Sequence, residues 1–299
     1  MTTTAAPFGR MITAMITPMT SDGEVDYDGA ARLATYLVDD MRSDGLVING
    51  TTGEAPTTTD EEKERLLRVV LDAVGDRAKI VAGVGTNVTS HTQHLARQAA
   101  SAGVDGLLVV TPYYSKPAQD ALEAHFKAAA DATDLPVLIY DIPGRTGAEV
   151  ATETLVRLAE HPRIIGVKDA KDNPGATSWV LARTDLVYYC GSDMLNLPWL
   201  SIGAVGFISV VGHVVGDRLL EMIEAFAAGR NAEALAIHKE LLPVYTGIFR
   251  NQGLVMTKAA LSMLGLPAGP VRGPLLAASE AERRQLREDL TAGSVKLPG

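Results

Sequence analysis

Short apolar runs rich in Val and Ile alternate along this chain with longer segments of helical period, a pattern that predicts successive βα units and a parallel sheet. Eight such runs occur: MITAMITPM (11–19), GLVING (45–50), KIVAGVG (79–85), GLLVVTP (106–112), PVLIYDIP (136–143), IIGVKDA (164–170), LVYYCGSD (186–193) and GAVGFISV (203–210). Between them lie segments such as TTTDEEKERLLRVVLDAVG, where Leu66, Leu67, Val70, Leu71 and Val74 share one helical face behind a Thr/Asp start suited to capping. Eight units predict a closed (β/α)8 TIM barrel. The competing open doubly wound sheet carries about five or six strands, and its nucleotide-binding form needs G-x-G-x-x-G in the first βα turn, which is missing here. Beyond Gly216 the pattern is helical, with helices expected near 217–228, 231–247, 252–264 and 279–291. The expected organisation is a barrel over 1–230 and a helical C-terminal extension over 231–299.

Composition narrows the picture. A chain of 299 residues suits one such domain with an extension, because α/β barrels of roughly 250 residues fold as a unit. Hydrophobic residues at 46% and charged ones at 21% supply a core and give no sign of disorder. Lys and Arg total 27 against 36 Asp and Glu, a formal net charge of -9 without a dense basic run, which argues against a nucleic-acid partner. The start, MTTTAAPFGRMITAMITPM, lacks a basic n-region, and no apolar run nears the roughly 18 residues of a bilayer span. A cytoplasmic protein with no membrane partner is expected. One cysteine, Cys190, leaves no intrachain disulfide and no cysteine-held metal cluster. The histidines fall mostly in helical segments without an H-E-x-x-H pattern, so no metal is expected.

In a barrel, chemistry sits at the C-terminal ends of the strands. Polar residues gather there: GTTGE (50–54) after strand two, TPYYSKP (111–117) after strand four, YDIPGRTG (140–147) after strand five, and Lys168 at the end of strand six. Among the lysines weighed, Lys79 starts a strand, Lys63, Lys127 and Lys239 fall in helical patterns as solvated residues, and Lys116 and Lys171 fall in loops. Only Lys168 ends an apolar strand. Period-two alternation puts Ile164, Gly166 and Lys168 on one face. If that face is inward, desolvation lowers the lysine pKa and yields an amine able to attack a carbonyl. The competing reading is a lysine snorkelling at the rim or paired with Asp169. An iminium needs protons moved on and off a carbinolamine oxygen, and Tyr140, Tyr114 and Thr51 are candidate carriers. The turn around Thr51 offers backbone N–H groups to a carboxylate, and the planar fork of Arg145 suits a second one.

Taken together, GTTGE, TPYY, YDIPGRTG, GVKDA and GAVGFISV resemble, in order and spacing over nearly the whole chain, the motifs of the dihydrodipicolinate synthase family. The resemblance implies condensation of pyruvate with L-aspartate 4-semialdehyde in the diaminopimelate and lysine pathway, without metal or organic cofactor. It implies that Lys168 forms the pyruvate Schiff base and that Thr51, Tyr114 and Tyr140 relay protons. Tyr114 would act across a dimer interface within a homo-oligomer, expected to be a tetramer built as a dimer of dimers. Thr52 would hold the pyruvate carboxylate, the Ile208 carbonyl would line the lysine pocket, and Arg145 would bind the semialdehyde carboxylate. Asp141 stands where many members have Asn, a change expected to leave the chemistry intact. The alternatives are a sister pyruvate aldolase, lyase or dehydratase, of the N-acetylneuraminate lyase or 2-keto-3-deoxy-sugar-acid aldolase type, and a non-catalytic keto-acid sensor. Arg145 with Thr51 and Thr52 favours a short acid semialdehyde over a sugar chain, and the lysine with its relay disfavours the sensor. In lysine-inhibited members the inhibitor site would map to Ala55, Pro56, Asp60, Lys63, Asn87, His91 and Tyr113. Asp60 and Lys63 replace histidines of the sensitive pattern and His91 replaces its glutamate, so weak or absent L-lysine sensitivity is expected.

Overall fold

The computed structural model describes residues 6–298; the first five residues of the amino-terminal stretch and the last residue of the 231–299 segment lie outside it. The first half of the barrel runs β1 (Met11–Ala14), α1 (Tyr27–Asp39), β2 (Gly45–Ile48), α2 (Asp60–Val74), β3 (Lys79–Gly83), α3 (Thr89–Ala102), β4 (Gly106–Val110) and α4 (Gln119–Ala130). The second half runs β5 (Val137–Asp141), α5 (Pro143–Thr146), α6 (Thr152–Leu158), β6 (Ile164–Asp169), α7 (Pro174–Leu181), β7 (Val187–Cys190), α8 (Asn196–Ser201), β8 (Gly206–Ser209) and α9 (Gly212–Ala227). Helices α10 (Asn231–Phe249), α11 (Gly253–Met263) and α12 (Glu280–Ala292) follow. All eight strands pair in parallel with their sequence neighbours, and β8 closes on β1. The chain is therefore a (β/α)8 barrel with helices after it.

Each expected run contains a strand, but the strands end before the runs do. Strand β1 ends at Ala14; the Met15 N–H still donates to the Val47 carbonyl at 3.0 Å, and the Ile16 N–H donates to His213 Nε2 at 3.0 Å. Helix α2 begins with the expected cap: Thr59 accepts from the Glu62 N–H and the Glu62 carboxylate accepts from the Thr59 N–H. Helix α9 starts five residues before the expected 217, yet Val215 inside it has non-helical angles, so the regular part begins where the sequence pattern does.

Two apolar layers follow from the alternation. Inside the barrel, Ile12, Val47, Val81, Leu108, Leu138 and Val187 fill the lumen beneath the mouth. Outside, a continuous core joins the strands' other faces to the helices and includes Leu241 and Val244 of α10 and Leu286 and Leu290 of α12. One expectation fails at β6. Val137 pairs with Ile164 but Leu138 pairs with Gly166, so Ile165 is the extra residue of a bulge. The bulge puts Ile164 in the outer layer, while Gly166 and Lys168 face inward. A Cβ on Gly166 would lie 2.4 Å from the Val187 carbonyl oxygen, so only glycine lets β7 approach beneath the lysine.

Candidate active site

At the C-terminal mouth a cavity of about 580 Å³ is lined by Thr51, Thr52, Tyr140, Arg145, Lys168 and Asp193, among others. Strands β5 and β6 set its centre, because Tyr140 and Lys168 are register partners whose side chains both enter the lumen. Lys168 Nζ lies 4.2 Å from the centre of the Tyr140 ring, and Lys168 is 4% exposed. Burial brings its pKa down to about 8; the Asp193 carboxylate opposes that shift and Arg145 adds to it. The lysine is thus neither a rim residue nor a partner of Asp169. The Asp169 carboxylate faces away, accepting from Thr177 Oγ1 at 2.6 Å and from the Lys171 N–H at 2.8 Å.

Burial pushes the Tyr140 phenol up to about 12, opposed by the Arg145 charge and the Thr51 hydroxyl beside it. Tyr140 stays protonated at neutral pH and can donate. Thr51 and Thr52 sit in a turn closed by N–H bonds from Gly53 and Ala55 to the Gly50 carbonyl, and Thr17 Oγ1 holds the Gly53 carbonyl at 2.6 Å. Gly83 lets this turn lie against β3, since a Cβ there would be 2.5 Å from the Asn49 carbonyl oxygen. Arg145 is exposed at the rim, on the short helix α5.

Two of the expected site residues do not line this cavity. Tyr114 is 90% exposed, with a φ of 73°, and points out of its own cavity. Ile208 lies in the apolar lumen of β8 and does not line the mouth cavity, although Val210, two residues on, does. Lys63 departs from the solvated reading, and the side chain of Lys171, read only as a loop residue, is covered as well. Lys63 is 7% exposed, with Nζ donating to the Thr58 carbonyl, and the Lys171 side chain is 6% exposed beside Asp141. Sequence patterns alone cannot see a carbonyl or carboxylate folded over such a side chain.

Asp193 was missed. It lies 2% exposed just past β7, accepting from Ser209 Oγ at 2.5 Å, the Val210 N–H at 2.9 Å, the Val211 N–H at 3.1 Å and Asn196 Nδ2 at 3.1 Å. Its signal was the GSD that ends the seventh apolar run. Lys258 of α11 was also missed: its Nζ donates to Glu54 Oε1 at 2.5 Å and to the Pro270 carbonyl at 2.6 Å, while the Arg272 N–H donates to Glu54 Oε2 at 2.9 Å. The helices after the barrel thereby grip the residue that ends the Thr51–Thr52 turn.

A second cavity of about 490 Å³ shares Thr51, Tyr140 and Arg145 with the first, and Ala55, Pro56, Asp60, Lys63, Asn87, His91 and Tyr113 all line it. Among the described residues no group of three or more His, Cys, Asp or Glu is arranged to hold a metal, and no helix is long and apolar enough to cross a membrane.

Residues 7–293 match the dihydrodipicolinate synthetase family model. The chain is 63% identical over 287 residues to the 4-hydroxy-tetrahydrodipicolinate synthase of Acidothermus cellulolyticus, covering 96% of this chain and 93% of the relative. It is 59% identical over 295 residues to 4-hydroxy-tetrahydrodipicolinate synthase 2 of Streptomyces coelicolor, covering 99% and 98%. Among solved structures, dihydrodipicolinate synthase from Cyanidioschyzon merolae with lysine bound superposes with a TM-score of 0.95 at 39% identity, covering 98% of this chain and all of that one (100%). The enzyme from Aquifex aeolicus superposes at 0.94 with 36% identity, again covering 98% and 100%. With its barrel, its mouth residues and its full-length relatives in agreement, the chain belongs to the dihydrodipicolinate synthetase family.

Proposed function

We infer that this chain condenses pyruvate with L-aspartate 4-semialdehyde to 4-hydroxy-tetrahydrodipicolinate, the reaction of 4-hydroxy-tetrahydrodipicolinate synthase in diaminopimelate and lysine biosynthesis. The observation that carries the chemistry is a buried lysine with a pKa of about 8 beside a protonated tyrosine. The neutral Lys168 amine attacks the pyruvate C2 carbonyl, the carbinolamine oxygen takes a proton from Tyr140 and leaves as water, and an iminium remains. Loss of a proton from C3 gives an enamine, whose C3 attacks the semialdehyde aldehyde. The amino group of that substrate then attacks C2, closing the ring and releasing Lys168. The Thr51 hydroxyl hands protons to and from Tyr140. Thr52 holds the pyruvate carboxylate through its turn, and the Arg145 cation binds the semialdehyde carboxylate. No cofactor is needed, since the lysine itself is the electron sink.

Tyr114 completes the relay of a neighbouring subunit in a homo-oligomer, a tetramer arranged as a dimer of dimers. Its conformation supports this reading: a positive φ costs a bulky residue about 1–3 kcal/mol, and here it displays an almost fully exposed ring. Residues 231–299 are an extension of the barrel and not an independent domain. The function is tested by following pyruvate and L-aspartate 4-semialdehyde by NMR with purified protein. Consumption of the two in equal amounts, abolished by Lys168→Ala, is expected; cleavage of N-acetylneuraminate without semialdehyde consumption would overturn it.

A further inference from the structure

Directly behind the two central site residues stands a second pair of register partners, Asp141 next to Tyr140 and Asp169 next to Lys168. Both are buried on the outer side of the strands, at 1% and 2% exposure, so two carboxylates share one water-poor place. Lys171 is the cation there: its N–H is fixed by Asp169 at 2.8 Å, and its Nζ lies 3.2 Å from Asp141 Oδ2. The pair meets on Val150. The Val150 N–H donates to Asp141 Oδ1 and Oδ2 at 3.3 and 3.2 Å, and the Val150 carbonyl accepts from Lys171 Nζ at 2.9 Å.

Val150 ends the segment that leaves helix α5, the helix carrying Arg145. Upstream that segment is tied by the Gly147 N–H to the Pro143 carbonyl and by Thr146 Oγ1 to the Ala148 carbonyl, at 2.9 and 2.8 Å. Its far end is therefore anchored where Asp141 and Lys171 satisfy both backbone groups of one residue. A carboxylate can accept from the N–H but cannot donate to the carbonyl, whereas one amide side chain could do both. Asp141 thus requires Lys171, and neither replaces the other.

We propose that Asp141 and Lys171 act together as positioning residues for the Arg145 turn, setting the grip on the semialdehyde carboxylate while leaving pyruvate addition at Lys168 untouched. The proposal rests on the role given above to Arg145. The experiment compares Lys171→Met, Asp141→Asn, the double variant and Arg145→Ala as full-length oligomers, measuring KM for each substrate and the yield of borohydride-trapped pyruvate. Lys171→Met is expected to raise the semialdehyde KM at least tenfold, with pyruvate KM and trapping within twofold of the parent. The double variant is expected to recover most of that loss, because the amide introduced by Asp141→Asn can serve both groups of Val150 and the one remaining carboxylate, Asp169, keeps its donors in Thr177 Oγ1 and the backbone N–H of residue 171; this holds the proposal open to test if Lys171→Met does not fold. An unchanged semialdehyde KM in Lys171→Met, or equal losses for both substrates, or a double variant worse than the single, overturns it. If Arg145→Ala raises the semialdehyde KM and Lys171→Met does not, the pair fails and the role of Arg145 stands. If Arg145→Ala has no effect, that role fails and the proposal with it.

Discussion

A lysine side chain in water is almost wholly protonated at neutral pH, and sealing Lys168 into the barrel mouth changes that by bringing its pKa to about 8. The neutral amine then becomes roughly two orders of magnitude more abundant at pH 7 than in a free lysine. The sign follows: as pH falls below 8 the amine gains a proton and loses its nucleophilic pair. kcat/KM for pyruvate should therefore rise about tenfold per pH unit up to about 8 and then level off. Asp193→Asn removes the carboxylate that opposes the shift and should move that inflexion to lower pH. A flat profile between pH 6 and 9 would contradict the assignment. At this scale the positions of Lys168, Tyr140, Thr51, Thr52 and Arg145 could be read from sequence, because the end of an apolar strand is visible in the hydrophobic pattern. Asp193 could not be singled out, since three of the four donors that distinguish it come from β8 and its following turn, 16 to 18 residues on, and only Asn196 is near it in the chain.

Elements were legible where period and capping decide them, as for the eight strands and for α2 with its Thr59 box. The Ile165 bulge was not, because strict alternation carries no mark of an inserted residue until the partner strand is known. Nor was the bond between α11 and the turn after β2, which joins residues 204 positions apart. Lys258 and Glu54 are 3% and 2% exposed, and burial lowers the lysine pKa while Glu54 opposes the shift. Removing one partner of a buried pair leaves an uncompensated charge at a cost of about 3–5 kcal/mol. Lys258→Met should lower the stability of the fold by that amount in urea unfolding, and Lys258→Met with Glu54→Gln by clearly less. Equal losses in the single and double variants would show that the pair is not the cause.

For the whole molecule, the single chain leaves two questions to its assembly. If Tyr114 serves the neighbouring site while Lys168 serves its own, Tyr114→Phe and Lys168→Ala proteins, each inactive, should regain partial activity when mixed and allowed to exchange subunits. No recovery despite demonstrated exchange would place Tyr114 outside the relay. The second cavity poses the regulatory question. His91 Nε2 sits 2.8 Å from Asp60 Oδ2, and Lys63 adds a cation to the same wall. A ligand with two ammonium groups needs carboxylates, and losing one charge-assisted bond of roughly 1.5–3 kcal/mol weakens binding by about tenfold or more. Half-inhibition by L-lysine at saturating pyruvate is expected above about a millimolar; half-inhibition below that would mean that Asp60 compensates.

The central claim, that pyruvate is activated as a Schiff base on one buried lysine, is tested most directly by trapping. The protein is incubated with pyruvate, reduced with borohydride, digested and mapped by mass spectrometry. The account predicts a single reduced pyruvate adduct on Lys168, absent without pyruvate. An adduct on Lys116, Lys171 or Lys258 with Lys168 unmodified would contradict it.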